Sequence, residues 1–297
     1  MSADSVPVTA MSLPPIEAVA FLGVTVNLIT LHSLLGLVAD CIAVHRTVVI
    51  AHHNLHSLSL HSSSSRDAVS FRRFYDEAQY TLADGMSIVV LGKLQGQRIR
   101  RQHRVTYNDW LPRMLPVAVR EGWRVFYLGS TAAVAARGAD VLRARFPGLQ
   151  LESHHGHFDA RCDSDSNKKV LAEISHYQPH ILFVGMGMPR QEKWIQDNRK
   201  DIRANVILTS GATLDYVVGA KRMAPRWMGT LGLEWAFRLA TEPRRLAFRY
   251  LIEPWGLLSA VVSKRIEMAR QPMSPLPQMG GNDVVGQYVQ QEEAKRE

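Results

Sequence analysis

Short apolar runs and helical apolar stripes alternate along most of this chain. Residues 47–51 (TVVIA), 123–129 (WRVFYLG), 149–152 (LQLE), 181–184 (ILFV) and 205–209 (NVILT) are rich in β-branched, aromatic and aliphatic side chains, a pattern that predicts buried strands. Between them, Phe71, Phe74, Tyr75 and Ala78 form one apolar helical face, Ser130 and Thr131 cap a helix through Arg145, and 165–177 is helical. The alternation from about 120 to 215 predicts an α/β fold with a mostly parallel, doubly wound sheet flanked by helices. Residues 18–44 are apolar over a length that reaches across a bilayer. They also carry Asn27, His32, Ser33 and Asp40, while Leu31, Leu34, Leu35, Val38, Cys41 and Ile42 recur at helical spacing. That mixture predicts a strand over 20–26 and then an amphipathic helix rather than a span, because polar groups are costly inside a membrane.

Both ends break the pattern. Residues 1–17 and the Pro-, Gly- and Gln-rich stretch 272–297 are expected to be disordered. They bracket an α/β domain at 18–220 and a C-terminal basic helical appendage at 221–271. In the appendage Lys221, Arg222, Arg226, Arg238, Arg244, Arg245 and Arg249 are interleaved with Trp227, Trp235, Phe237, Phe248, Tyr250 and Trp255. Basic residues beside aromatics on amphipathic helices suit an anionic membrane surface, and a solvated basic cap is the plainer reading.

Charge extends that picture. The 297 residues carry a formal charge of +8, which points to an acidic partner: nucleotide phosphate, anionic lipid or nucleic acid. No nucleic-acid-binding module accompanies the charge, and no G-x-G-x-x-G follows any strand, which counts against a nicotinamide enzyme. Cys41 and Cys162 offer neither a disulfide framework nor a zinc ribbon, and the N-terminus lacks a signal-peptide pattern, so a reducing, cytoplasmic setting is expected.

The chemistry concentrates at strand ends. Residues 180–194 (HILFVGMGMPRQEKW) read as strand, glycine turn and helix start, with Pro189 in the first helical turn. Free backbone N–H groups there favour an anion, with Arg190, Gln191 and Glu192 at the mouth; the plainer reading is an ordinary βα turn with a solvated polar first turn. Gly129-Ser130 is a second such turn. A polar cluster, His52-His53-Asn54-Leu55-His56-Ser57, follows the strand at 47–51. Asp84 closes the run 80–85, either as N-cap of a helix over 86–94 or as a carboxylate aimed into a cleft, as a general base requires; Ile88, Val89 and Val90 also read as strand. Residues 98–104 are a basic run, by default a solvated face, followed by Val105-Thr106-Tyr107-Asn108-Asp109. His154, His155, His157 and Asp159 invite a metal hypothesis, but their spacing matches no closed site, and polar contacts to ligand or backbone are the alternative.

Six ordered motifs span most of the chain: LADG at 82–85, RVT at 104–106, FYLGS at 126–130, HHGHFD at 154–159, FVGMGMPRQEKWI at 183–195 and GLEWAFRLATEPRR at 232–245. In this order they resemble the WecG/TagA/CpsF family of bacterial glycosyltransferases. The resemblance implies a Rossmann-like fold and inverting transfer of a sugar from a UDP-sugar to a polyprenyl-diphosphate-linked sugar. The setting it implies is peripheral, on the inner face of the plasma membrane, with polysaccharide assembly proteins as further partners. It assigns the base to Asp84, requires no metal or cofactor, and places His52, Asn54, Arg104, Thr106, Gln191 and Glu192 at the donor. Arg226, Arg238, Arg244, Arg245 and Arg249 would reach lipid and diphosphate. Two departures stand out. His52-His53-Asn54 replaces the usual Thr-x-Asn, which is similar to the xanthan-type exopolysaccharide branch and implies a β-1,4-glucosyltransferase. Met223 replaces the usual arginine before Ala-Pro, leaving a phosphate contact there to Lys221 or Arg222. The rivals are an N-acetylmannosaminyl or uronosyl donor, or a non-catalytic nucleotide- or lipid-binding subunit.

Overall fold

Where one strand was expected over 20–26, two short strands, β1 (Ala18–Phe21) and β2 (Val24–Asn27), pair antiparallel as a separate two-stranded sheet. The chain reverses at Leu22 (φ 52°) and Gly23 (φ 79°), both left-handed as a tight hairpin turn requires. A leucine in the first of these positions does not announce a turn, so the apolar run reads as continuous. Helix α1 (Leu31–Ala43) follows, started by a reciprocal cap between Thr30 and Ser33, and it buries Leu34, Leu37, Val38, Cys41 and Ile42. Among the described residues no helix is long and apolar enough to cross a membrane.

The main sheet is built from β3 (Val48–His53), β4 (Tyr80–Ala83), β5 (Val125–Gly129), β6 (Leu151–His154), β7 (Ile181–Gly185) and β8 (Val206–Thr209). All neighbours are parallel, in spatial order β4-β3-β8-β7-β5-β6. Between β3 and β4 lie α2 (Leu55–Ser62) and α3 (Arg66–Glu77), and α4 (Met86–Leu94) and α5 (Tyr107–Arg120) lead to β5. Then come α6 (Ala132–Arg145), α7 (Asp165–Tyr177), α8 (Arg190–Asn198) and α9 (Thr213–Val217), before α10 (Arg226–Leu231), α11 (Glu234–Thr241) and α12 (Pro243–Ala247). The α/β class with a parallel, helix-flanked sheet is therefore the observed architecture, and β3 extends two residues further than expected, taking in His52 and His53.

One face of the sheet packs on α1, α5, α6 and α9 through residues such as Leu34, Trp110, Leu142 and Leu214. The other packs on α3, α7 and α8 through Phe74, Ile174, Trp194 and Ile195. Adjacent strands β5 and β7 thus send their following helices to opposite faces. In open parallel sheets, a crevice for ligand forms at the carboxyl ends where connections diverge in this way. The structure is a computed structural model that describes residues 13–63, 65–231, 233–247 and 251. Most of the two ends expected to be disordered, 1–12 and 272–297, lies outside the described residues, but Leu13 and Ile16 pack against the core and the Pro14 carbonyl accepts the Tyr80 hydroxyl at 2.8 Å.

Candidate active site

Asp84 sits one residue beyond β4, its backbone N–H continuing the ladder to the His53 carbonyl at 2.8 Å. It caps no helix: Gly85, at φ 104°, occupies the N-cap of α4 without a side-chain cap bond, and Ile88–Val90 is helix rather than strand. The Asp84 carboxylate is partly exposed, 30% at the side chain, and His52 lies beneath it with Nε2 at 3.7 Å from Oδ2. The His52 ring is buried at the end of β3, with Nδ1 at 2.9 Å from Thr209 Oγ1 of β8, and it is T-shaped to Tyr107, centroids 5.6 Å apart. Its backbone carbonyl accepts the Tyr75 hydroxyl at 2.9 Å. Burial lowers the His52 pKa, opposed by the Asp84 charge and by a backbone contact with Thr209. Burial, and then the Asp84 charge, raises the Tyr107 phenol well above its ordinary range, and its hydroxyl has no hydrogen-bond partner.

Neighbouring polar residues frame this carboxylate. His53 is stacked on Tyr75 at 4.0 Å and shares a hydrogen bond of 3.1 Å with Ser57, and burial drives its pKa well below the ordinary value. Asn54 caps α2, its side chain accepting the Ser57 N–H at 3.1 Å. Arg104 bridges to the end of β4 through its backbone, and its guanidinium reaches Asp109 at 3.1 Å and Glu234 of α11 at 3.3 Å. Thr106 donates to the same Asp109 oxygen at 2.9 Å. The basic run 98–104 therefore divides: Arg98, Arg100 and Arg101 are exposed, while Arg104, 15% exposed, is tied in.

The glycine turn after β7 departs from the reading of an open anion-binding mouth. Gln191 and Glu192 are wholly buried, and the Gln191 amide oxygen accepts the N–H groups of Gly187 and Gly211, both at 3.2 Å. The expected free N–H of Gly187 is thus already occupied, and Pro189 holds the N-cap of α8 rather than its first turn. The Gln191 amide N–H donates to Glu192 Oε1 at 2.8 Å, Oε2 has no partner, and burial pushes the Glu192 carboxyl up to about 7. Of the three polar residues at this turn, only Arg190 is exposed, donating to the Phe158 carbonyl at 2.6 Å. At the divergence of β5 and β7 the backbones nearly touch: a Cβ on Gly129 would collide with the Gly185 carbonyl, and one on Gly185 with Tyr127 and Gly211. Ser130, left-handed at φ 59°, hydrogen-bonds Asp215 of α9.

His154 donates to the His155 carbonyl at 2.7 Å, and among the described residues no group of three His, Cys, Asp or Glu is placed to hold a metal ion. Arg222 and Arg244 are exposed, and Arg238 lies over the Tyr216 ring at 5.8 Å. Arg226 and Arg245 fall on α10 and α12, and Arg249 lies outside the described residues. The structure thus gathers Asp84, His52 and Arg104 at one end of the sheet and adds Thr209, Tyr75 and Tyr107, which no motif in the sequence marks as site residues.

The family model described as "Glycosyl transferase WecG/TagA/CpsF family" matches residues 19–271. Curated relatives include the N-acetylglucosaminyldiphosphoundecaprenol N-acetyl-beta-D-mannosaminyltransferases of Staphylococcus aureus strains NCTC 8325 and COL. Each is 28% identical over 201 residues, covering 68% of this chain and 76% of the relative.

Proposed function

This chain belongs to the WecG/TagA/CpsF family of glycosyl transferases, and on that premise we propose that it moves a sugar from a UDP-sugar to a hydroxyl of a polyprenyl-diphosphate-linked sugar, with inversion. The observation that carries the reading is the partly exposed Asp84 carboxylate at the carboxyl end of the sheet, with His52 beneath it and Arg104 bridged to the same strand end. Asp84 takes the proton of the acceptor hydroxyl as its oxygen bonds to the anomeric carbon. The bond from that carbon to the diphosphate breaks, its electron pair leaving with UDP. Arg104 and the basic residues Lys221 and Arg222 supply positive charge for the departing diphosphate.

The named relatives favour N-acetylmannosamine as the donor sugar over glucose. Glucose is retained as a second reading by one feature, the His52-His53-Asn54 sequence at the end of β3. The enzyme works as a peripheral membrane protein, a reading supported by the exposed Met223, Trp227 and Trp235 among the basic residues of 221–247. The test is transfer of radiolabel from UDP-N-acetylmannosamine and from UDP-glucose to synthetic N-acetylglucosaminyl- and glucosyl-diphosphate-polyprenols. Disaccharide from UDP-N-acetylmannosamine is expected, product from UDP-glucose alone moves the donor to the second reading, and no product from any pairing overturns the proposal. Asp84→Asn should lower turnover by about 10²–10⁴-fold while UDP binding persists; full turnover would remove Asp84 from the role.

A further inference from the structure

We propose that His52 is a positioning residue for Asp84: it presents Nε2–H to the carboxylate, while Thr209 holds the opposite ring nitrogen. This rests on the reading of Asp84 as base. Nε2 lies 3.7 Å from Asp84 Oδ2, and Nδ1 lies 2.9 Å from Thr209 Oγ1. A carboxylate facing Nε2 selects the tautomer with hydrogen on that atom, since the alternative sets a nitrogen lone pair against negative charge. Nδ1 is then an acceptor, and the Thr209 hydroxyl donates to it. The ring has little freedom to move away. It stands T-shaped against Tyr107 at an interplanar angle of 77°, its own carbonyl is held by the Tyr75 hydroxyl, and the side chain is only 6% exposed. So buried a ring has little surface to offer a sugar or nucleotide, and Asp84 is the partner its free nitrogen faces. The gap of 3.7 Å is longer than a hydrogen bond and closes with a carboxylate movement of roughly 0.5–1 Å, as catalytic contacts commonly do when substrate binds. The consequence is a base whose lone pair is aimed by three strand ends at once: β4 carries it, β3 supplies the imidazole, and β8 fixes the imidazole.

The experiment is initial-rate kinetics of the full chain with whichever UDP-sugar and polyprenyl-diphosphate acceptor support wild-type turnover, alongside UDP binding. His52→Ala should lower kcat roughly 10–100-fold, the scale of a misplaced catalytic group, with the donor KM within about twofold of wild type. His52→Gln, which keeps an N–H donor near the Nε2 position, should recover most of that loss. An unchanged kcat, a raised KM at unchanged kcat, or a Gln variant as poor as Ala would each overturn the proposal. If His52→Ala fails to fold, Thr209→Val carries the test: it frees the ring without touching Asp84 and should lower kcat at constant KM, and an unaffected kcat refutes the relay. Asp84→Asn run in parallel separates the two readings, because retained turnover there discards the base itself, whereas a dead Asp84→Asn beside a fully active His52→Ala discards only the positioning role.

Discussion

Replacing Glu192 by Gln should stabilise this protein at neutral pH and leave it little changed in mild acid. Glu192 is wholly buried, one oxygen accepting from Gln191 and the other without a partner, and burial raises its carboxyl from 4.5 to about 7. Between those two values the unfolded chain has lost the proton and the folded chain still holds it. Stability therefore falls as pH rises through this window and levels off above about 7. At about 1.36 kcal/mol per pH unit, the span from 4.5 to about 7 amounts to roughly 3 kcal/mol. A glutamine reproduces the neutral acid and does not ionise, so the penalty vanishes. The Tyr75 phenol feels the Glu192 charge but is itself held well above its ordinary range, chiefly by burial, and it stays neutral throughout. Urea unfolding of both proteins, followed by tryptophan fluorescence at matched pH from 5 to 8, isolates the difference. The variant should gain roughly 3 kcal/mol over wild type by pH 8, with the gap closing toward pH 5. A gap that stays flat across the range would refute the reasoning.

Two further outcomes follow from packing and surface. Gly185→Ala should cost folding yield and UDP binding together, because its Cβ meets Tyr127 and the Gly211 carbonyl, whereas Gly36→Ala in α1, with open space around it, should raise stability by about 0.5–1 kcal/mol; thermal unfolding of the pair checks both. Trp227→Ser with Trp235→Ser should weaken sedimentation with anionic vesicles at least about tenfold, since burying one large apolar side chain is worth about 1.5–3 kcal/mol; unchanged partitioning would remove these rings from the membrane surface.

Strands buried on both faces of a parallel sheet read as continuous apolar runs, and that is why β5, β7 and β8 were legible from composition alone. The bounds of α7, Asp165–Tyr177, match those expected, with Ser164 capping its start and Gln178 left-handed beyond its last turn. The hairpin at the entry was not, because its turn uses Leu22 where the usual signal is Asn or Asp. Nor was the true end of β3. Imidazole counts as polar in any periodicity, so His52 and His53 read as the start of a loop although both rings are enclosed by tyrosines and by the next strand.

The same polar residue types serve two purposes at a strand end, and residue type alone does not separate them. Gln191 reads as a ligand group because it follows a glycine turn, yet it stands three and four residues before Trp194 and Ile195, which places it on the face of α8 that meets the sheet. Glu192, three before Ile195, shares that face. The glycine turns after β7 and β8 leave partly buried N–H groups, those of Gly187 and Gly211, that need an acceptor. Gln191 supplies it, and Glu192 receives the amide hydrogen left over. Helical spacing thus weighs more than nearness to a glycine in deciding which polar residue faces a ligand. By that criterion Gln191 and Glu192 turn inward onto the sheet, while Asp84, which follows a strand and leaves its carboxylate partly exposed, is the group proposed to meet an incoming hydroxyl.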